Sequence, residues 1–284
     1  MSFLVCSTLP YGKYDFERAL QGIKKAGYSY VGLGISHAGT PLLTADTKKE
    51  KAAQLAEKCK KYSLEPVCMF APRLVTKDDV AAACQVLDLA REVGLHYIIS
   101  AGVWGYKKWP DEPFSAEEMA EKAVPWVGAM KEVAAHAGGL GLTYALKPHT
   151  GNTATAAQIK ATLDAVDSPA VRACADPGNL RFYEGIDAEA DTEALLPYLA
   201  AFVAKDHRGN RADADFPPPG EGDIDFVRLF KSLANAGYEG PVIVERVDGD
   251  GSTPLDPPEL DARVALAREN LLAMAKEAGL PMRV

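Results

Sequence analysis

The sequence predicts a single (β/α)8 barrel, in which one closed parallel sheet is surrounded by helices. Short apolar runs of four to six residues, typical of buried strands, alternate with longer stretches whose apolar residues recur at helical spacing. The junctions from helix to strand repeatedly carry glycine, as in KKAGYSYVGL and ANAGYEGPVIV, where a left-handed residue ends the helix. The length of 284 residues suits eight such units, since barrels of this type need about 250 residues.

The apolar runs predict eight strands, at Phe3–Cys6, Tyr30–Leu33, Pro66–Phe70, Tyr97–Ser100, Thr143–Leu146, Val171–Ala175, Ala200–Ala204 and Pro241–Val244. The stretches between them predict amphipathic helices, among them Phe16–Lys25, Lys48–Tyr62, Asp79–Val93, Ala116–His136 and Ile224–Ala236. Strands that alternate with helices imply a parallel sheet. An open doubly wound sheet is the alternative, but it usually carries GxGxxG after the first strand, where this chain reads STLPYGKYD. The proline-rich stretch 213–223 is interpreted as a loop, so residues 1–284 are predicted to be one domain.

Composition excludes several classes of protein. Hydrophobic residues make up 48% and charged residues 25%, which is typical of a globular protein. The net charge of −8 argues against binding to nucleic acid or to a membrane surface. No apolar run reaches the roughly 18 residues of a membrane span, and the N-terminus does not read as a signal peptide. The five scattered cysteines form no CxxC pair, which favours reduced thiols in the cytoplasm.

Ionisable residues follow the last four predicted strands, where barrels of this kind place their active sites. Side chains alternate between the two faces of a strand, so residues two apart share a face. If these faces point inward, one cavity receives the side chains of Lys147, His149, Asp176, Lys205, His207 and Glu245. Charges at a barrel mouth are costly unless they are paired or bind a metal, so this cluster is the strongest functional signal in the sequence.

Other strand ends supply candidates for substrate binding. Trp104 and Trp109 follow the fourth strand and could form a stacking platform for a sugar, although packing is the alternative role. His37 follows the second strand and Arg208 follows the seventh, and both are candidate substrate contacts. Tyr183 receives no role from the sequence.

The phrases LTYALKPHTGN, ADPGN, VAKDHRGN, PGEGDIDF and VIVE, in this order, resemble the xylose-isomerase-like TIM barrel superfamily over nearly the whole chain. That superfamily includes sugar isomerases, sugar epimerases, inosose dehydratases and the endonuclease of the AP endonuclease 2 type. The resemblance implies a site of four metal ligands, Glu, Asp, His and Glu, from strands five to eight. Asp176 and Glu245 match the second and fourth ligands. Lys147 stands at the first position, and the third falls on Ala201 or Val203.

This departure leaves three interpretations of the site open. A divalent metal (Mn, Fe, Co or Zn) could be held by a relocated set, namely His149, Asp176, His207 and Glu245. Alternatively no metal is bound, and the Lys147 ammonium pairs with Asp176 and Glu245 in its place. In the third interpretation the cluster is a structural ion-pair network without chemistry.

The resemblance implies proton transfer next to a carbonyl, as in sugar isomerases and epimerases, on a small-molecule carbohydrate. Such chemistry needs a base and a positive group that stabilises the enediolate oxygen. Glu245 is the candidate base, and Lys147, His149 or a metal is the candidate electrophile. A lyase or dehydratase acting on a keto sugar shares the first step and is the second interpretation. A non-catalytic sugar-binding barrel is the third, and a homo-oligomer is possible because such barrels often form dimers or tetramers.

Several basic residues follow strands at the predicted mouth of an otherwise acidic protein, namely Arg73, Lys147, Lys205, Arg208 and Arg211. A local positive field favours an anionic substrate, such as a sugar acid. The sequence shows no Gly-rich phosphate cradle, so a sugar phosphate is less favoured.

Overall fold

A computed structural model describes residues 1–72, 74–76, 78–252 and 255–284. Within these ranges eight parallel strands form the closed central sheet, helices cover its outer face, and a short ninth strand, Met282–Arg283, pairs in parallel with Ser2 and Phe3. The strands are β1 (Ser2–Ser7), β2 (Tyr30–Leu33), β3 (Glu65–Phe70), β4 (Tyr97–Ser100), β5 (Thr143–Leu146), β6 (Val171–Ala175), β7 (Leu199–Val203) and β8 (Pro241–Val244).

One helix of seven or more residues follows each of these strands in the described part of the chain. They are α1 (Phe16–Lys25), α2 (Lys49–Lys61), α3 (Val80–Val93), α4 (Ala116–Gly139), α5 (Ala156–Val166), α6 (Ala188–Ala194), α7 (Phe226–Asn235) and α8 (Pro257–Ala278). Several begin where a side chain caps the first turn: Asp15 before α1, Ser115 before α4 and Asp256 before α8 each accept a backbone N–H from three residues further on.

The sheet closes on itself through β1 and β8. Phe3 to Cys6 of β1 lie in register with Pro241 to Val244 of β8, and Val5 to Ser7 pair with β2 on the other side. All these pairings are parallel, and the order around the sheet follows the order along the chain. The structure therefore confirms the (β/α)8 barrel and excludes the open doubly wound sheet.

The core has two layers, because alternate strand residues face inward and outward. The inner layer fills the barrel axis and consists of residues such as Val5, Phe70, Ile99, Val203 and Ile243. The larger outer layer lies between the sheet and the helices. Among the described residues, no helix is both long enough and apolar enough to cross a bilayer.

The predicted strands agree closely with the observed ones. Five have the predicted bounds, one differs by one residue at its start, and two differ by one residue at each end. The stretch 213–223 is a loop, as interpreted from the sequence. Helix α4 runs three residues beyond its predicted end at His136, through Gly138 and Gly139.

Candidate active site

Four charged side chains meet where strands β5 to β8 end. The Lys147 ammonium lies 2.9 Å from Asp176 Oδ2 and 2.7 Å from Glu245 Oε2. The Lys205 ammonium lies 3.1 Å and 3.3 Å from the same two oxygens. Asp176 is fully buried and both lysines are 4% exposed, so this four-residue cluster is enclosed by protein.

Strand alternation positions three of these side chains. Inward-facing residues of β5, β7 and β8 pack along the barrel axis, namely Ala145, Val203 and Ile243. Two residues after each of them, on the same side of the chain, stand the cluster members Lys147, Lys205 and Glu245. The contacts of Lys147 and Lys205 with Glu245 agree with the sequence-based prediction that these three side chains converge.

Asp176 has a second role at the end of β6. Its Oδ1 accepts the Asn179 backbone N–H at 3.0 Å and caps the turn Pro177–Asn179, while Oδ2 faces the two lysines. A side chain on Gly178 would collide with the Lys205 backbone carbonyl, so the turn can approach β7 only with glycine there. The capped turn therefore fixes the Asp176 carboxylate against both ammonium groups.

The pKa values of the two lysines are shifted in opposite directions. Burial acts to lower the pKa of Lys147, but its close contacts with Asp176 and Glu245 outweigh burial and raise that pKa. For Lys205 burial is again the largest influence, its contacts with the carboxylates are longer, and the Lys147 charge repels it, so its pKa falls below the ordinary value. Lys147 is thus a permanent cation, and Lys205 is the member of the cluster that gives up its proton more readily.

Glu245 is held ionised by its neighbours. Burial opposes the charge on the carboxylate, but the ammonium groups of Lys147 and Lys205 overcome it and lower the pKa of Glu245 to about 2. A carboxylate with so low a pKa is a weak proton acceptor, which counts against the sequence-based choice of Glu245 as the base.

The cluster forms one end of a cavity of about 370 Å³, hereafter the charged cavity. This volume is at the small end of the range of ligand sites. Its walls combine charged, aromatic and aliphatic residues: Leu9, Ile35, Phe70, Pro72, Ile99, Lys147, His149, Asn179, Phe182, Tyr183, Lys205, Ala214, Phe216, Glu245 and Arg246.

An aromatic wall stands beside the cluster. The Tyr183 hydroxyl and His149 Nε2 are 3.1 Å apart and hydrogen-bonded, and their rings stack at 4.3 Å. Trp104 packs on His149 at 5.4 Å and is 39% exposed. Burial raises the pKa of Tyr183 to about 12, so its hydroxyl stays protonated at neutral pH. Sequence reasoning missed Tyr183, which lies in the irregular helical turn Leu180–Glu184.

The loop after β7 is organised by Asp206. Its carboxylate accepts backbone N–H groups from His207, Gly220, Gly222 and Ile224 at 2.8 to 3.2 Å. Burial raises the pKa of Asp206 despite these bonds. Asp206 therefore ties the PGEGDI segment to the end of β7.

His207 does not join the cluster, unlike the prediction from strand alternation. It is buried, its Nε2 bonds the Asp213 carbonyl at 2.6 Å, and its ring packs between Phe182 and Phe216. Strand β7 ends at Val203, so the alternation of side chains no longer applies four residues later. Burial lowers the pKa of His207, which favours a neutral ring.

Three predicted substrate contacts have other partners. His37 is buried, with Nδ1 bonded to the Tyr14 carbonyl and Nε2 to Thr8 Oγ1. Trp109 packs against Tyr183 and stacks beneath the Arg211 guanidinium at 4.9 Å. Arg208 is about half exposed and pairs with Asp215 at 3.3 Å. Each residue therefore supports the surrounding loops, and none of the three enters the proposed site below.

The positive field expected from the basic residues at the barrel mouth is neutralised by carboxylates in the charged cluster. Lys147 and Lys205 face Asp176 and Glu245, so the cluster has two charges of each sign and sums to zero. Arg73, which contributed to that expectation, lies outside the described residues. The cluster alone therefore gives no preference for an anionic substrate.

The residues at the strand ends do not fit a divalent metal. The carboxylate oxygens of Asp176 and Glu245 accept from two ammonium groups, and the relocated set needs His149 and His207, whose Nε2 atoms bond Tyr183 and a carbonyl. A dication beside two ammonium groups is strongly repelled. Over the described ranges, no three His, Cys, Asp or Glu side chains are grouped so that they could hold a metal ion.

Residues 20–276 match the family model of the xylose isomerase-like TIM barrel, and the chain belongs to that family. It is 26% identical to L-ribulose-5-phosphate 3-epimerase UlaE of Escherichia coli (strain SMS-3-5 / SECEC), over 96% of this chain and 94% of that protein. Among solved structures, a xylose isomerase domain protein from Alicyclobacillus acidocaldarius superposes with a TM-score of 0.74 at 21% identity, covering 98% and 100% of the two chains. D-psicose 3-epimerase from Clostridium cellulolyticum H10 gives 0.74 at 14% identity, covering 96% and 99%.

The structural similarities show a shared barrel fold. The family match confirms the resemblance inferred from the phrases at strands five to eight. The curated relatives named as 3-epimerases agree with the class predicted from the sequence, the sugar isomerase and epimerase type.

Proposed function

We propose that the protein is a sugar epimerase or isomerase that moves a proton next to the carbonyl of a ketose bound in the charged cavity. The observation that carries this proposal is the buried Lys147 ammonium, held between Asp176 and Glu245 at the catalytic end of the barrel. Its position gives a fixed positive charge where an enediolate oxygen needs one. The curated relatives named L-ribulose-5-phosphate 3-epimerase support epimerisation at C3 as the first activity to test.

Lys147 acts as the electrophile in this mechanism. Its raised pKa keeps it charged throughout the reaction, and its two carboxylate partners fix its direction. The substrate carbonyl oxygen accepts a hydrogen bond from this ammonium. As the proton leaves the neighbouring carbon, its bonding electrons form the enediolate double bond, and the negative charge on oxygen is stabilised by Lys147.

Lys205, in its neutral form, is the proposed proton acceptor. It lines the same cavity, its carboxylate contacts are longer than those of Lys147, and its pKa is lowered. His149 lines the cavity from the end of β5, whereas Lys205 follows β7. These two groups in different walls are suited to take a proton from one face of the carbon and return one to the other, which epimerisation requires.

No step is assigned to a metal, because the donor set does not suit one. The free cysteines Cys6, Cys59, Cys68, Cys84 and Cys174 support a cytoplasmic location for the proposed enzyme. We also propose that residues 1–284 act as one domain. A homo-oligomer stays a prediction.

Deuterium exchange from solvent tests the proposal. The protein is incubated in D2O with L-ribulose 5-phosphate, D-psicose, D-tagatose and D-fructose, and C3 is followed by NMR. We expect deuterium at C3 together with the 3-epimer for at least one ketose. The variant Lys147→Met should lose about 100-fold or more in exchange rate, while Lys160→Met, which removes an exposed lysine, should match the wild type.

The other two interpretations predict different outcomes. Loss of water or of a leaving group from the sugar would identify a lyase or dehydratase instead. Absence of exchange with every ketose, although one of them binds, would identify a non-catalytic barrel and overturn the proposal.

A further inference from the structure

A second cavity opens directly beside the charged one. It has a volume of about 770 Å³, and Pro72 and His149 belong to the walls of both cavities. Its other walls come from the segments after β3 and β4, from Phe114 and from the first turns of α4. The full lining is Pro72, Val75, Thr76, Ala101, Gly102, Val103, Trp104, Phe114, Glu118, Glu121, Lys122, Pro125, Trp126 and His149.

This aromatic cavity differs in chemistry from its neighbour. Three large aromatic side chains line it, namely Trp104, Phe114 and Trp126, together with Val75 and Val103. Its charged residues are on helix α4, where the Lys122 ammonium lies 4.4 Å above the Phe114 ring. Exposed aromatic surface of this extent in a cavity is typical of a ligand site.

Hydrogen bonds within the protein hold two walls of the aromatic cavity, the segment after β4 and the start of α4. In the segment after β4, the Val103 N–H donates to Asn152 Oδ1 at 2.7 Å and the Gly105 N–H donates to Thr150 Oγ1 at 3.0 Å. The start of α4 is held by a capping box in which Ser115 and Glu118 bond each other's backbone N–H. A preformed apolar wall lowers the entropic cost of binding.

We propose that the aromatic cavity binds an aryl or other apolar substituent of the substrate, whose sugar ring lies in the charged cavity. This inference rests on the proposed function, since it assigns the sugar to the catalytic end. A free monosaccharide can stack one C–H face on a single ring such as Trp104, but its hydroxyl-bearing edges gain little from the rest of an apolar wall, because burying unpaired hydroxyls is costly. An aryl group attached to the sugar matches that wall by size and by ring stacking.

Binding of inert glycosides tests this assignment without any turnover. Calorimetry compares phenyl and methyl β-glycosides in the gluco, galacto and xylo series, none of which carries a keto group. Burial of the phenyl ring should give at least tenfold tighter binding than the methyl partner in one or more series. This measurement is independent of deuterium exchange, so the two proposals can fail separately.

Two variants test whether the preference for phenyl over methyl glycosides arises in the aromatic cavity. Phe114→Ala removes one wall of the aromatic cavity and should reduce the preference for phenyl over methyl by about fivefold or more, with methyl glycoside binding unchanged. Phe3→Ala removes a half-buried ring that packs on Tyr30 in the first strand pair, and it should leave the preference intact. Thermal unfolding of both variants shows whether they fold.

Several results would overturn the proposal. Equal affinity for phenyl and methyl partners, or no detectable binding of any phenyl glycoside at millimolar concentration, would each do so. Tighter binding of cellobiose than of phenyl glucoside would show instead that the aromatic cavity holds a second sugar ring. Equal weakening of phenyl and methyl glycosides by Phe114→Ala would assign Phe114 to the sugar ring.

Discussion

The two halves of the barrel mouth are chemically unlike. Strands β5 to β8 end in the buried charges Lys147, Asp176, Lys205 and Glu245. The segments directly after β1 to β4 bring neutral side chains to the cavities, such as Leu9, Ile35, Pro72 and Trp104. One half thus supplies groups that move or stabilise charge, and the other supplies surface that binds.

This difference implies that the two halves affect different kinetic constants. Charges that act on a developing enediolate lower the barrier, so their loss reduces kcat. Apolar walls bind ground state and transition state alike, so their loss raises KM. The charged half is the one formed by the ends of β5 to β8, and the binding half is the one formed by the ends of β1 to β4. The following experiments first change Lys205 and Glu245 in the charged half, and then test Trp104 in the binding half and the effect of metal removal.

Among these changes, Lys205→Arg is expected to reduce activity most. Arginine keeps the positive charge beside Asp176 and Glu245 but cannot lose its proton at any accessible pH. We expect the exchange rate at C3 to fall by about 1,000-fold, which is within the range for loss of a general base. Steady-state kinetics of epimerisation check this, with Lys160→Arg as the control.

The pH profile sharpens this test. Lys205 must be neutral to accept a proton, so kcat/KM of the wild type should rise with pH towards the lowered pKa of Lys205. The charged groups that face it are Lys147, Asp176 and Glu245, of which Lys147 and Glu245 keep their charge over this range. The rising limb should vanish in Lys205→Arg, and an unchanged profile in that variant would assign the base elsewhere.

The free energy of unfolding should decrease at acid pH because Glu245 becomes protonated. Its pKa is about 2 in the folded protein against an ordinary value of 4.5, so its stabilising contribution is complete above pH 4.5 and is lost as the pH falls towards 2. This contribution amounts to about 3 kcal/mol of unfolding free energy. Urea unfolding between pH 6 and pH 2 measures it.

Glu245→Gln should remove this part of the acid dependence. The same change at Glu259, whose carboxylate is half exposed in a pair with Arg263, should leave it in place. Equal acid sensitivity of Glu245→Gln and the wild type would contradict the strong coupling of Glu245 to the two lysines.

Trp104→Ala tests the binding half. Trp104 is partly exposed and contacts the His149 ring, so its removal takes away binding surface without altering the ammonium groups. We expect KM to rise by about tenfold while kcat stays within about twofold. A fall in kcat that exceeds the rise in KM would show that the two halves do not divide the work as proposed.

Removal of metal ions should have the smallest effect on activity. Because the Lys147 and Lys205 ammonium groups engage both carboxylates that could bind a metal, dialysis against a chelator should alter activity by less than about twofold. Loss of activity that Mn, Co, Fe or Zn restores would contradict this prediction and would require the lysines to move away from the carboxylates.

The sequence predicted the fold and most of the charged cluster for one physical reason. Alternation along a strand is strictly periodic, so positions 147, 205 and 245 follow from the inward residues two places earlier. The same rule failed for His207, because the chain leaves β7 at Val203 and is turned by the bonds to Asp206. Asp176 obeys the same rule, since it stands two places after the inward Cys174 of β6, and the family phrases then matched it to a ligand position.

Apart from Trp104, sequence reasoning did not find the residues of the aromatic walls. Tyr183 lies in an irregular turn, where side-chain direction depends on packing against residues distant in the chain, such as His149. Phe114 directly precedes α4 and Trp126 lies within it, but their common cavity with Trp104 forms only in the folded barrel. Only a local rule can be applied to a sequence alone, and no local rule relates these positions.

The four bonds to Asp206 have a consequence for protein engineering. They fasten the chain at residue 207 and again at 220–224, so the intervening segment is bounded by two fixed points close in space. That segment includes Phe216, whose ring lies 5.6 Å from the Lys205 ammonium. Residues 208–219 can therefore be exchanged as one segment between relatives, which would alter the cover over Lys205, the proposed proton acceptor, and leave strand β7 in place.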